Sequence, residues 1–285
     1  MKNLALLLVL VLLGAGGYYL WSNHNPSAPA LGPAAAAANT DARGLTDAEQ
    51  AAFLPSVCGG MSAGSEGYAH NCTSLPGYPS ADYGGAGTGL GITLTSVIQG
   101  HLSSATADEA YVSYQGSFES HADNFGGGIL FSADGKGGWT REKWVPGGVT
   151  DGCLSLNPQG RAKMLCLVGS SGQGETDTAL TTLSLPDSRG ETLLTGSDLR
   201  QTMDSNANCG LRKSASQDVL LGIDNIARAG TGYTAQIEYV AAADAETACK
   251  AKNFANTKVS KTALTLTWDG NAMQIAPVFN FAPSS

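Results

Sequence analysis

Glu119, His121 and Asp123 alternate in the stretch SFESHADNFGGG. On an extended segment, residues at i, i+2 and i+4 point the same way, so the three side chains share one face. Two carboxylates around an imidazole can hold a divalent metal, with neutral His121 as the nitrogen ligand. The same trio can also pair a carboxylate with histidine for acid–base work. Asn124 and the glycines that follow would let a ligand approach the backbone. The competing interpretation is a polar loop joining Tyr114 to Ile129.

Other motifs carry less chemistry. Asp204-Ser205-Asn206-Ala207-Asn208 has the D-x-N-x-N opening of a calcium loop. Its glycine comes one position late, however, and Ala215 stands where the closing glutamate belongs, so a capped turn at Cys209 fits better. Gly84–Gly91 is glycine-rich but leads into Ile92-Thr93-Leu94-Thr95, a strand, and not into a helix that could cradle phosphate. Gly169-Ser170-Ser171-Gly172 is not a G-x-S-x-G elbow. Tyr111, Tyr114, Phe118, Trp139 and Trp144 cluster in sequence, and their alternation within strands makes most of them core residues.

The elements that would position such groups are strands. Pro158-Gln159-Gly160-Arg161 is turn chemistry. With those four residues as the loop, Asn157 faces Ala162, Ser155 faces Met164, and Cys153 faces Cys166. The two cysteines then stand across a non-hydrogen-bonded antiparallel pair, close to disulfide range. The opposite face carries Leu154, Leu156, Leu165 and Leu167. Further strands are expected at Ile92–Ile98, Ala110–Gln115, Gly128–Ser132, Trp139–Val145, Asp218–Ile226 and Tyr233–Ala241. A C-terminal hairpin, KTALTLTW-DG-NAMQIAP, suits a two-residue type I′ turn at Asp269-Gly270 with Trp268 facing Asn271. Thr46-Asp47-Ala48-Glu49 is a capping box before a short helix, Asp47–Leu54, halted by Pro55. Its apolar side (Ala48, Ala51, Ala52, Phe53 and Leu54) is expected to plug one end of the domain. A second helix is expected over Asp244–Lys252.

The fold class is therefore all-β: many short antiparallel strands in a disulfide-containing sandwich or propeller-like domain with one short N-terminal helix. The run DEAYVSY…GGGILFSADGKGGWTREKWVPG followed by DGCLSLNPQGRAKMLCLV…LTTLSL resembles successive blades of secreted propeller proteins of the FG-GAP type. The resemblance covers Asp108–Leu185, is compositional, and lacks that family's Asp-rich calcium loop; a sandwich of meanders fits the strand count equally.

Composition bounds the setting. The chain has 285 residues, 37 of them glycine, with 14% charged residues and a net charge of −8. An acidic balance argues against nucleic acid as a partner, because there is no counterion release to drive binding. Leu4–Leu13 is a continuous apolar run behind Lys2, and Leu4–Trp21 covers about 18 residues, enough to cross a bilayer as a helix. Tyr18, Tyr19 and Trp21 sit where an interfacial belt would lie. This favours an uncleaved signal-anchor at 1–21 over a cleavable signal peptide ending at Gly14-Ala15-Gly16 or Ala28-Pro29-Ala30. Residues 22–45 read as a low-complexity linker and 46–285 as the extracytoplasmic domain.

Six cysteines (Cys58, Cys72, Cys153, Cys166, Cys209, Cys249) all follow that run, as disulfides of an exported protein would. The sequence-local pairing is Cys58–Cys72, Cys153–Cys166 and Cys209–Cys249. The expectation is a binding or structural domain in the cell envelope, held by a single-pass inner-membrane anchor and facing the periplasm or exterior, or alternatively secreted. It would meet a protein or glycan partner, with no cofactor beyond a divalent metal at Glu119, His121 and Asp123. The alternatives are an extracytoplasmic hydrolase using that trio and an accessory component of a secretion or surface-appendage machine.

The trio sets the first test. Zinc should bind the purified protein in calorimetric titration, more weakly as pH falls and protons compete for His121, and not at all after His121→Ala. Equal binding by both proteins, or none by either, leaves a polar loop.

Overall fold

Successive β-branched and apolar runs separated by glycine-rich turns pair most readily with their neighbours in the chain, and the strands here form three antiparallel sheets built that way. The structure is a computed structural model, and it describes residues 39–61, 67–79, 90–118, 126–147, 152–172, 175–197, 214–251 and 257–281. Sheet 1 contains β1 (Arg43–Gly44), β2 (His70–Cys72), β3 (Leu90–Gly100), β4 (Glu109–Gly116), β5 (Gly126–Ala133) and β6 (Trp139–Pro146). Its order is β1-β3-β4-β5-β6, with β2 also on β3. Sheet 2 is the meander β7 (Cys153–Ser155), β8 (Lys163–Gly172), β9 (Glu175–Ser184) and β10 (Arg189–Ser197). Sheet 3 is the meander β11 (Val219–Ala229), β12 (Gly232–Val240), β13 (Ser260–Trp268) and β14 (Met273–Ala276). Two helices, α1 (Asp47–Val57) and α2 (Ala242–Ala251), complete the described elements.

Side-chain alternation turns the three open sheets into layers. One face of sheet 1 buries Ile92, Leu94, Val112, Tyr114, Ile129 and Phe131 under Phe53, Leu54 and Val57 of α1. Its other face presents Ile98, Tyr111 and Leu130 to Met164, Cys166 and Leu183 of sheet 2. The far side of sheet 2, through Leu156, Leu165 and Leu180, meets Ile223, Ile237, Leu264 and Leu266 of sheet 3. Beyond sheet 3, Ala245 of α2 covers Val219, Leu221 and Val240. The result is a sandwich-like all-β domain.

Glycine matters where two layers touch most closely. A methyl group at Gly128 would overlap the Tyr111 ring, and one at Gly196 of β10 would lie 2.8 Å from the Gly222 amide nitrogen of β11. The glycines after Asn124 therefore make room for aromatic rings of the core. Gly127 is similarly tight against Tyr114 Oη, at 2.8 Å from an added Cβ. Tyr111 Oη in turn hydrogen-bonds Ser188 Oγ at 2.9 Å, fastening sheet 1 to the β9–β10 turn.

The hairpin register stands as read from the turn: Cys153 is opposite Cys166, Leu154 opposite Leu165, and Ser155 opposite Met164. Disulfides join Cys153 to Cys166 and Cys58 to Cys72. Cys249 is disulfide-bonded too, while its expected partner Cys209 lies outside the described residues. Leu154, Leu156, Leu165 and Leu167 all join the sheet 2–sheet 3 core.

Several boundaries differ from expectation. Helix α1 runs on to Val57 with Pro55 inside it, because proline removes only one amide in the last turn and Cys58 N still donates to Leu54 O at 2.9 Å. The buried side of α1 is Glu49, Phe53, Leu54 and Val57, while Ala48, Ala51 and Ala52 face outward. Trp268 faces Met273, not Asn271. The C-terminal turn is longer because Asp269 Oδ1 accepts from both Asn271 N and Ala272 N at 2.8 Å, closing an Asx-type loop. Strand β10 was not expected, and α2 starts at Ala242, earlier than Asp244, where Asp218 Oδ1 accepts its first amide at 2.9 Å. Asn39–Leu45, placed in the linker by composition, lies against the sheets. No described helix is long and apolar enough to cross a membrane, and Leu4–Trp21 lies outside the described residues.

The cross-strand disulfide sets a stability test. The bond closes a separation of 13 residues, for which chain entropy gives about 3 kcal/mol. Denaturant unfolding should show Cys153→Ser and Cys166→Ser losing about that much each, and the double variant losing no more than either. Additive losses would mean that the thiols do not pair.

Candidate functional site

Helix α1 starts at a capping box, and this fixes what its two sides present. Thr46 Oγ1 accepts from Glu49 N at 3.3 Å, and Glu49 Oε2 accepts from Thr46 N at 2.9 Å. The same carboxylate takes a bidentate pair from Arg43 of β1, at 2.6 and 2.9 Å. Arg43 holds the Glu49 carboxyl down at about 2, against the cost of burial and with help from the Thr46 amide and hydroxyl. Glu49 is thus buried but fully satisfied, and the inner side of α1 is locked onto sheet 1.

The outer side is free to line a surface. After α1, Cys58 is tied to Cys72, and Gly59–Met61 runs beside Cys72–Ser74, with Gly59 N donating to Ser74 O and Thr73 N to Gly60 O. Between this segment and α1 lies a cleft of about 620 Å³, within the range of small-ligand and short-peptide sites. Asp47, Gln50, Ala51, Leu54, Met61 and His70 line it. Met61 is 62% exposed, one of two large apolar residues so exposed among the described residues; Val278 is the other. His70 Nε2 lies 3.4 Å from Gln50 Oε1 and donates to an amide oxygen, not a carboxylate. Such a wall can hold an apolar group at Leu54 and Met61 while Gln50 and His70 meet polar atoms of the same ligand and Asp47 accepts from its donors.

The residues singled out from sequence fall elsewhere. Glu119, His121, Asp123 and the Asp204–Asn208 loop lie outside the described residues. Among the described residues, no group of three His, Cys, Asp or Glu side chains could hold a metal ion. Tyr111, Tyr114, Phe118 and Trp144 are core residues, and Trp144 meets Tyr114 and Tyr78 edge-on at 5.2 Å. His101 Nδ1 bonds the Ala107 carbonyl within its own turn. The cleft was not read from the sequence because one wall is the side of α1 that carries Asp47, Gln50 and Ala51 and the other is a loop with no periodicity. The capping box was the one available signal of the helix's orientation.

Compared with known proteins, the chain matches no family model, no curated sequence and no solved structure. Asp108–Leu185, which resembled two propeller blades, instead supplies β4–β6 of the six-stranded sheet 1 and β7–β9 of sheet 2, packed face to face.

The Arg43–Glu49 pair gives a pH test. Glu49 has a depressed folded pKa, so its contribution is complete above the unfolded value of about 4.3 and is lost as pH falls toward about 2. Stability curves of the wild type and Glu49→Gln should converge across that window and stay separated near neutrality. Parallel curves from neutrality to pH of about 2 would show that the carboxylate does not titrate as described.

Proposed function

We propose that this chain is an exported, N-terminally tethered binding or structural domain that meets a protein or glycan partner at the cleft beside α1. The observation that carries the reading is the pair of disulfides, Cys58–Cys72 and Cys153–Cys166, downstream of an apolar run. Disulfides form and persist in oxidising compartments, so they point to an extracytoplasmic or secreted protein. The run Leu4–Trp21, the basic Lys2 before it and the Pro/Ala-rich 22–38 after it support a tether to the membrane. Support for binding comes from the cleft lining, which combines apolar Ala51, Leu54 and Met61 with polar Asp47, Gln50 and His70, beside a disulfide that turns the Gly59–Met61 segment back along β2.

Service in a secretion or surface-appendage machine would be the same arrangement with a permanent partner. A hydrolase would need Glu119, His121 and Asp123.

Native protein alkylated before lysis tests the reading. It should sediment with membranes through a high-salt wash, have the intact mass of the unprocessed chain, and carry no alkylated thiol until reduced. A mature N-terminus near Gly17 or Leu31 would show a secreted product and remove the tether. Thiols open to alkylation in the native protein would remove export itself.

A further inference from the structure

Asn39–Leu45 occupies the gap between the edge strands of two sheets and reaches the edge of the third. Toward sheet 1, Thr40 N donates to Gln99 O at 2.9 Å, Gln99 N donates to Thr40 Oγ1 at 2.9 Å, and Arg43 and Gly44 pair with Val97 and Ser96. Toward sheet 2, Ala42 N donates to Cys153 O at 2.8 Å, and Ser155 N donates to Asp41 Oδ1 at 2.7 Å. Asn39 Nδ2 donates to Asn157 O and Gly160 O in the β7–β8 turn, at 2.9 and 2.7 Å. Toward sheet 3, Arg228 of β11 closes a fork on Asp41 at 2.9 and 2.6 Å. That guanidinium also donates to Ser155 O, beside Tyr233 Oη on the same acceptor.

We propose that this strap is a load-bearing joint: tension on the N-terminal tether enters all three sheets together, and the domain stays folded while it is pulled. The inference rests on the tethered reading. Hydrogen bonds between antiparallel strands run perpendicular to the chain, so a pull along the strap strains its bonds to β3 and β7 together and not one after another. The Asp41–Arg228 fork adds two charge-assisted bonds at the same place. Strand β7 has three residues and would peel from β8 by itself, but the strap grips it at Cys153, whose side chain is covalently joined to Cys166 of β8. Covering a sheet edge requires only backbone pairing. Here a buried asparagine, an ion-pair fork and a disulfide converge on one short segment.

Single-molecule pulling on the full chain in detergent, with handles at both ends, tests this directly. The wild type should resist until the strap and the sheets fail together. Asn39→Ala and Asp41→Asn should fail at lower force, with the strap parting in an early step of its own before the sheets rupture. Reduction of the wild type should lower the force and add about 45 Å from each of the freed Cys153–Cys166 and Cys58–Cys72 loops. Should Asp41→Asn fail to fold, Asn39→Ala and the reduced wild type decide the outcome. Variants that rupture at the wild-type force, or an early separate step at low force in the wild type, would overturn the proposal. The instrument supplies the tension, so a cleaved native N-terminus would defeat the tether without altering these traces.

Discussion

The edge of β7 is the constraint on which the rest of the domain depends. Cys153 and Ser155 turn their outward backbone groups away from β8, as a non-hydrogen-bonded Cys153–Cys166 pair requires. Those groups sit where sheets 1, 2 and 3 approach one another, and leaving them bare would cost about 1–3 kcal/mol each. Four different side chains or backbone amides meet them: Ala42 N, the Asp41 carboxylate, Arg228 and the Tyr233 hydroxyl. The Asp41 carboxyl is pushed up by burial and pulled down further by Arg228 and the Ser155 amide, so its net position is below the ordinary carboxylate range. A charge can remain there because every oxygen is used.

That junction also explains what could and could not be read in the sequence. Local pairing was legible. The Pro158–Arg161 turn, the two cysteines and four leucines agreed on one register, and the structure has it. The strap was not legible, because NTDARGL carries no strand pattern and its partners are remote, Arg228 being 187 residues away. Strand β10 was hidden for a different reason. A bulge between Thr192 and Leu194 puts two leucines side by side and erases the alternation that marks a strand. At Asp269 the dipeptide suggested a two-residue turn, yet the aspartate side chain captured two amides beyond it and lengthened the loop. Local competition by a polar side chain decided that register. The cleft beside α1 was half legible. The capping box oriented the helix start, but which side faced inward was set by Arg43 reaching Glu49 from the strap, a contact that periodicity does not report.

The burial of each sheet leaves a matching trace. Sheet 2 lies between two others, and Met164, Leu165 and Cys166 of β8 are all buried, so its apolar residues run on without alternation. Sheet 3 faces sheet 2 on one side, and α2 covers only part of the other, at Val219, Leu221 and Val240. Its strand β13 buries Leu264 and Leu266, while Lys261, Ala263, Thr265 and Thr267 are exposed. The sequences MLCL and ALTLT thus record a strand covered on both faces and a strand covered on one, a distinction that strand propensity alone does not make.

This layering restricts where binding chemistry can sit. Sheet 2 packs against sheet 1 on one face and sheet 3 on the other, and the outer face of sheet 3 is divided between an apolar part under α2 and a polar part where Glu238 is joined to Lys261 across neighbouring strands. Sheet 1 is closed on one side by sheet 2 and on the other by α1. Among the described residues, large exposed apolar side chains are left at two places, Met61 beside α1 and Val278 near the C-terminal end. Val278 follows β14 and is 91% exposed. Met61 faces a cleft with hydrogen-bonding groups at its rim and a disulfide behind it. Concavity is what lets an apolar contact become selective, because only there can a ligand be surrounded and its polar groups matched. Among the described residues, the outer side of α1 is where an exposed apolar side chain and a concavity meet.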